Sequence, residues 1–330
     1  SACLVGSEMC IRDSALAGYG SLAKVYINAV EEIDELKISA VYDCNMEKVK
    51  QSIKDINIVG DYCDLLRSDC DAVMLCVPAY MQHDMAKKAA DFGKNVICQI
   101  PPALNSHDII ELAEYFKLKN LRLIPAMFDR YFANIFDVRK HLNNNTIGNI
   151  GVVNIRRYCP KANNKEQNWY NDFDLSGGCI YQLMVCDIDL ITQLFGEVES
   201  AFGYHRTLEG VDYAVMTLVM KCGVLVNIEA LFGYKGEFSK AYELSGSKGN
   251  ICFDSLLADS SRIIGGGLNS EHFSLDCSLN AANHNPYKLM LIDIVKSINM
   301  GDDSILDIDD LIYACRIADM CGQSISVKVV

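Results

Sequence analysis

The sequence predicts an α/β protein of two parts: a parallel sheet with its helices up to about residue 127, then a mainly antiparallel sheet with further helices. Three observations carry this. Strand-like and helix-like segments alternate from Ala15 onward, the rhythm of a parallel sheet. A glycine-rich turn stands where the first strand would meet the first helix. Beyond residue 127 the apolar runs lengthen and are joined by short turns, as antiparallel pairing requires.

Taken in order, the strands of the first part read as "KISAVYD" (37–43), "DAVMLCV" (71–77), "NVICQI" (95–100) and "LRLIPAM" (121–127). Leu22, Val25, Ala29 and Val30 make one apolar helical face. Ser106 caps a second helix, whose face is Ile109, Leu112, Ala113 and Phe116. The run at 95–100 ends against Pro101 and Pro102, which cannot donate to a ladder. The chain must leave the sheet there, and it offers Gln99 and Ile100 to a cleft. In the second part a helix near 133–144 precedes "IGVVNIRRY" and a helical stretch at 178–195. The runs "YAVMTLVMK", "GVLVNIEALF" and "KAYELSG" follow, with "KCG" and "SKGN" as turns. Pro286 starts a helix to about 300, and a last helix covers 307–322.

A chain of 330 residues, half of them hydrophobic, can bury a full core and is expected to divide into two domains. Its net charge of -13 argues against nucleic acid or an anionic membrane as partner, since either needs a basic patch. No apolar stretch approaches a membrane span and no leader pattern opens the chain, so a soluble, cytoplasmic protein is expected. The fifteen cysteines are odd in number and form no Cys-x-x-Cys pair, so neither a disulfide framework nor a metal site is expected. Most sit in apolar strands, where a reduced thiol behaves as a small hydrophobe.

"LAGYGSLAK" sets Gly18, Gly20 and Ala23 as G-x-G-x-x-A, and Asp43 ends the next strand. The first glycine permits the tight turn, the second lets a pyrophosphate approach the backbone, and the small third residue allows close helix–strand packing. Asp43, 25 residues beyond Gly18, suits the ribose hydroxyls and repels a 2′-phosphate. This is a Rossmann dinucleotide-binding pattern with NAD favoured over NADP.

From Ala15 onward the chain resembles the Gfo/Idh/MocA family of sugar and cyclitol dehydrogenases. "DAVMLCVPAYMQHDMAKKAADFGKNVICQIP" follows that family's strand, Thr-Pro-like turn, His, helix and Gly-Lys-x-Val strand leading to Glu-Lys-Pro. "FDRYFAN", "NWYNDFDLSGG" and "NPYKLMLIDIVKSI" resemble its arginine segment, its tryptophan and glycine run, and its late helix. The resemblance implies a Rossmann domain over 15–127. A C-terminal substrate and dimerisation domain over 128–330 would carry an open, mainly antiparallel sheet whose face joins a homo-oligomer. It implies a small-molecule substrate or ligand. Cofactor contacts would come from Gly18, Tyr19, Gly20, Ser21, Leu22, Asp43, Cys76, Val77, Pro78, His83 and Gln99, and a substrate pocket from Arg130, Trp169 and Tyr170.

The three positions used for proton transfer depart from the pattern. Ile100 stands for the lysine of Glu-Lys-Pro, with Gln99 for its glutamate. In "GCIYQLMVCDIDL", Gln182 and Cys186 stand for an Asp and a His, while Asp187 and Asp189 are retained. The four-residue spacing places Gln182 and Cys186 on one helix face. Isoleucine cannot donate, accept or hold charge, and a lost acid or base costs about 10²- to 10⁴-fold. Substitute groups on offer are Tyr181, Cys186, Lys161 and Lys165. Two functions therefore stand side by side: an NAD-dependent oxidoreductase acting on CH–OH groups with a replaced acid–base set, and a non-catalytic dinucleotide-binding regulator or partner subunit. Finally, "EMCIRDS" (8–14) is polar where a buried first strand should run, and it reads as the translated end of a common transposase sequencing adapter. Residues 1–14 are expected to be non-native, and sequencing the genomic locus decides it.

Overall fold

The structure is a computed structural model that describes residues 13–53, 56–162, 165–257, 261–265, 273–277, 284–300, 306–321 and 327–328. The chain forms two compact units. One comprises the chain through Ala103, His107–Phe128 and Asn285–Asp309; the other comprises Leu104–Ser106, Asp129–His284 and Asp310–Val330.

The first unit is built on strands β1 (Asp13–Ala17), β2 (Lys37–Tyr42), β3 (Asn57–Val59), β4 (Ala72–Leu75), β5 (Asn95–Cys98) and β6 (Leu123–Pro125). Every pairing is parallel, in the order β3-β2-β1-β4-β5-β6. The order reverses between β1 and β4, where open parallel sheets bind ligands at the carboxyl ends of the strands. Helices α1 (Ser21–Val30), α2 (Met46–Ser52), α3 (Tyr62–Arg67), α4 (Ala79–Asp91) and α5 (Ser106–Leu118) follow the strands in turn. Strand residues Ala15, Ala17, Val73, Leu75 and Val96 form one buried cluster with Leu65, Leu66, Ala86, Ala89, Leu112 and Phe116 from the helices. The sequence reading passed over α2, β3 and α3 because they are short; α2 buries Val49 alone, too little to show a stripe.

Asp13 and Ser14 belong to β1, while residues 1–12 of the segment expected to be non-native lie outside the described residues. Ser14 is fully buried and its hydroxyl has no partner among the described residues. A buried polar group without a hydrogen bond costs about 1–3 kcal/mol. Ser14→Ala should therefore raise unfolding stability by about 1 kcal/mol in urea titrations, and an unchanged or lower midpoint would contradict that account.

The second unit holds β7 (Ile150–Pro160), β8 (Val198–Leu208), β9 (Val211–Met220), β10 (Leu225–Tyr234), β11 (Ser239–Gly246), β12 (Gly249–Asp254), β13 (Ser261–Gly265), β14 (Phe273–Cys277) and β15 (Val327–Lys328). They form one sheet ordered β14-β13-β12-β11-β7-β10-β9-β8-β15, parallel at β7–β10 and antiparallel elsewhere. Alternate residues point inward: Ala214, Met216, Leu218 and Met220 on β9, and Val226, Ile228 and Ala230 on β10, are buried. Helix α6 (Ala133–Asn143), the single turn α7 (Phe173–Ser176), a π turn (Ile180–Met184) and α8 (Val185–Phe195) precede this sheet or cross it, with the π turn on β7 and β10.

Two expectations change. The stretch 173–195 is long and apolar enough to cross a membrane, contrary to the sequence reading, but most of it is buried inside its unit as a core helix. The division at 127 is also too simple. Helix α9 (Pro286–Met300) returns to the first unit, where Tyr287 stacks on Phe128 at 4.9 Å and meets the Tyr26 ring edge-on at 5.7 Å. Helix α10 (Ile308–Cys321) lies almost wholly in the second unit. No local motif says to which core a late amphipathic helix is bound.

Candidate active site

The first unit assembles a cofactor half-site at the ends of β1, β2 and β4. Gly18 has φ +91°, and a Cβ there would lie 2.4 Å from the Cys76 carbonyl oxygen, so only glycine fits the crossing between the two strands. A Cβ on Gly20 would meet nothing within 4 Å, so the space before the first turn of α1 is open to a ligand. Gly20 caps α1 without a side chain and the first turn carries no acid, which leaves its N–H groups and positive end to an anion. Tyr19 and Asn45 donate backbone N–H groups to the two Asp43 carboxylate oxygens at 2.6 and 2.7 Å. The carboxylate is thus fixed at the turn with lone pairs left for ribose hydroxyls. Ser21 and Leu22 open α1. Cys76, Val77 and Pro78 join β4 to α4 beneath the glycine turn, with Cys76 donating its N–H to the Ala17 carbonyl at 2.8 Å. These residues fit a dinucleotide: its pyrophosphate on the α1 amides, its ribose on Asp43.

Further along the same unit, two buried polar atoms, His83 Nε2 and Gln82 Oε1, have no hydrogen-bond partner among the described residues. Both are on the first turns of α4, and Gln82 Nε2 donates to the Pro101 carbonyl at 3.2 Å. Buried polar atoms without a partner in the chain can take one from water or a bound molecule. Gln82 was missed in the sequence although a signal existed: it is the polar member of the buried α4 stripe Ala79, Gln82, Ala86, Ala89. Gln99 is buried and donates from Nε2 to the Tyr26 hydroxyl at 2.5 Å, and burial pushes that phenol well above its usual range. Ile100 follows, half-buried, with a cis bond to Pro101.

The second unit holds the other expected positions. Gln182 is in the π turn and donates from Nε2 to the Ser176 carbonyl at 2.7 Å, so the amide is held by its own loop. Cys186 is buried, and burial pushes its thiol up to about 12 against the pull of Arg157. It is no thiolate nucleophile at neutral pH. Tyr181 is no free acid either. Its hydroxyl donates to Asp319 in a short hydrogen bond, and burial, then Cys315 and Asp319, raise the phenol far above its usual value. Lys161 reaches the turn at Gly210, and the Lys165 side chain lies outside the described residues. Trp169 stacks on Tyr170 at 3.9 Å, and Tyr170 lies parallel to Phe232 of β10 at 6.2 Å. The aromatic pair is packed on the sheet with Trp169 partly open to solvent.

Arg130 corrects the sequence reading. It is fully buried, its guanidinium bound to Asp189 and, at 3.0 Å, to Asp310. It holds α8 and α10 together and does not wall a pocket. A second buried set lies beside Cys186. Arg157 pairs with Asp187 at 2.6 Å and Asp129 at 3.2 Å, while Lys240 reaches Asp129 at 2.6 Å. Burial alone would raise the Asp129 carboxyl, but Arg157 and Lys240 outweigh it and hold the group well below the usual carboxylate range. The retained acids Asp187 and Asp189 thus anchor the helix, and the cations that meet them come from the 3₁₀ turn Phe128–Tyr131 and from β7, positions that no spacing rule connects.

Together the parallel sheet, the glycine turn and the acid at the end of β2 make a Rossmann-type dinucleotide-binding unit. The comparisons with known proteins name the family. Residues 13–127 match the model described as oxidoreductase family, NAD-binding Rossmann fold, and residues 136–252 the one described as GFO/IDH/MocA C-terminal domain. The chain belongs to the Gfo/Idh/MocA family of oxidoreductases, and NAD is the cofactor that its half-site takes. It is similar to the myo-inositol 2-dehydrogenase of Thermotoga maritima, 24% identical over 72% of this chain and 74% of that protein. It is 26% identical to the 2,7-anhydro-N-acetylneuraminate hydratase of Escherichia coli over 73% of this chain and 66% of that one. Among solved structures, levoglucosan dehydrogenase in complex with NADH shares the fold, with a TM-score of 0.85, 17% identity and coverage of 97% and 99% of the two chains. These findings favour the oxidoreductase over the regulator or partner subunit.

With the half-site in hand, calorimetry should give micromolar binding of NAD(H) and binding of NADP(H) at least about tenfold weaker, because Asp43 repels a 2′-phosphate. Asp43→Ala should narrow that preference. Equal affinity for both cofactors would remove the role assigned to Asp43.

Proposed function

We propose that this protein is an NAD(H)-dependent oxidoreductase acting on a CH–OH group of a sugar, cyclitol or related hydroxy compound, with hydride transfer kept and side-chain proton transfer weakened. The observation that carries it is the glycine turn, in which Gly18 is at positive φ, the space at Gly20 is open and Asp43 is fixed by the Tyr19 N–H, with His83 Nε2 and Gln82 Oε1 without a hydrogen-bond partner among the described residues. Relatives named for myo-inositol and levoglucosan support the substrate class. When bound, NAD supplies the hydride acceptor. The chain's own residues bind and orient it, while Ile100, Gln182 and Cys186 supply no titrating group near neutral pH: one is apolar, one is a neutral amide, one a thiol pushed up to about 12. Trp169 and Tyr170 would offer an aromatic shelf to a sugar ring. Assay of a panel of polyols, inositols and amino sugars with NAD is the test. Slow reduction with at least one member is expected, and a complete lack of turnover alongside tight NAD binding would return the reading to a non-catalytic binder.

A homo-oligomer through the second unit's sheet belongs to the same proposal. A groove of about 700 Å³ runs over the open face, lined by Arg156, Tyr204, Thr217, Glu229 and Leu257 among others. Phe202 and Tyr204 meet edge-to-face at 5.0 Å there, 44% and 56% exposed. Large apolar groups left open on one sheet face favour a second copy of the face. Light scattering should give a dimer or larger species, and Tyr204→Lys should lower the mass; a monomeric wild type at micromolar concentration refutes it. Twelve cysteines among the described residues are free thiols, which supports a reducing, cytoplasmic setting.

A further inference from the structure

We propose that Cys179, His205 and Asp212, in the second unit, form a binding site for one divalent cation of the zinc class. The Cys179 Sγ, a His205 ring nitrogen and an Asp212 carboxylate oxygen lie within 4.8 Å of one another, a sulfur, nitrogen and oxygen donor set. The topology builds it. Thr207 and Asp212 are cross-strand partners at the β8–β9 turn, and His205 shares the Thr207 face two residues back along β8. Cys179 arrives from the glycine pair Gly177–Gly178, both at positive φ, and a Cβ on Gly178 would lie 2.2 Å from Asp212 Oδ2. Only glycine lets that loop come so close.

The acid is anchored before any metal arrives. Cys179 donates its N–H to Asp212 Oδ2 at 2.6 Å, and Thr207 donates its hydroxyl to Oδ1 at 2.7 Å. His205 Nε2 also contacts Oδ1, at 2.6 Å. Zinc with bonds of about 2.0–2.3 Å in tetrahedral geometry sets its nitrogen and oxygen ligands about 3.3 Å apart. The His205 ring must therefore retreat by about 0.7 Å, and its side chain, 33% exposed, has room to do so. Cys179 and Asp212 are buried, so a thiolate and a carboxylate there need a counter-charge, and a dication with neutral imidazole makes the site neutral. On binding, the thiol proton and the proton His205 shares with Asp212 leave to solvent, and the imidazole keeps its Nδ1 proton. Such an ion would clamp the start of the helical segment that carries Gln182 and Cys186 onto the β8–β9 hairpin. The absence of Cys-x-x-Cys spacing hid the set, since its members come from three separate stretches.

The test uses the full chain, stripped with chelator and kept reduced, titrated with Co²⁺ and then Zn²⁺. One equivalent of Co²⁺ should give the visible bands of four-coordinate cobalt and a thiolate-to-cobalt charge-transfer band, both abolished by Zn²⁺. Cys179→Ser should remove the charge-transfer band. His205→Gln, at an exposed position, should weaken Zn²⁺ binding by more than the roughly 10- to 100-fold that loss of an outer-shell partner costs, with the apo protein's melting unchanged. Zinc should raise the melting temperature of the wild type and not of His205→Gln. No cobalt spectrum at millimolar Co²⁺, or a spectrum that survives both substitutions, overturns the site. If Cys179→Ser does not fold, His205→Gln decides alone.

Discussion

Ile100→Lys, Gln182→Asp and Cys186→His, introduced together, should raise NAD reduction with at least one polyol, inositol or amino sugar by about 10²- to 10⁴-fold over the wild type. The reason is chemical. A positioned acid–base set in this family couples proton removal to hydride transfer, and groups that act as a unit lose and regain their effect together. Ile100→Lys alone should stay near the wild-type rate, because burial depresses an isolated lysine's pKa and no partner takes its proton. Cys186→His also places an imidazole beside Arg157, whose charge favours the neutral, proton-accepting ring. Steady-state assays across the panel check this. Wild-type turnover of about 1 to 10³ per second would show that another group already does the work, and would point to Lys161 or Lys165.

Arg157→Met should cost about 3–5 kcal/mol of stability, since it leaves Asp129 and Asp187 buried with Lys240 as their remaining cation. The pH dependence has a definite sign. In the wild type the Asp129 pKa is depressed, so its contribution is complete above the unfolded carboxylate value of about 4 and is lost as pH falls toward the folded value. Without Arg157 the buried Asp129 carboxyl takes up a proton more readily. The deficit of the variant should therefore be smaller at pH 4 than at pH 7. Urea titrations at both values test it; a loss under about 1 kcal/mol, or a deficit that grows on acidification, contradicts the buried-charge account.

The cofactor half-site was legible because its information is local. Gly18, Gly20 and Asp43 lie in a turn, at a helix end and at a strand end whose geometry follows from a few consecutive residues, and the structure places Gly18 at positive φ and Asp43 against the Tyr19 N–H. Short apolar runs alternating with helical stretches likewise announced the first sheet, and longer runs joined by short turns the second. Arg130 was misread for the opposite reason: whether an arginine faces a ligand or an aspartate depends on where α8 and α10 lie, and those are 59 and 180 residues further along.

The same holds for the rest. Nothing in "VCDIDL" says which cations neutralise Asp187 and Asp189, only that acids inside an apolar helix need some. Nothing in 286–300 says that this helix packs with Tyr26. The sequence by itself determined the two kinds of sheet, the family and its NAD cofactor, and it placed Ile100, Gln182 and Cys186 where the resemblance expects a titrating set. Tertiary structure alone decided that the Cys186 thiol is buried beside Arg157, that Tyr181 is spent on Asp319, and that Cys179, His205 and Asp212 converge. The division has one cause: backbone conformation and hydrophobic pattern are set by near neighbours, whereas the state of a charge or a thiol is set by whatever the fold brings against it.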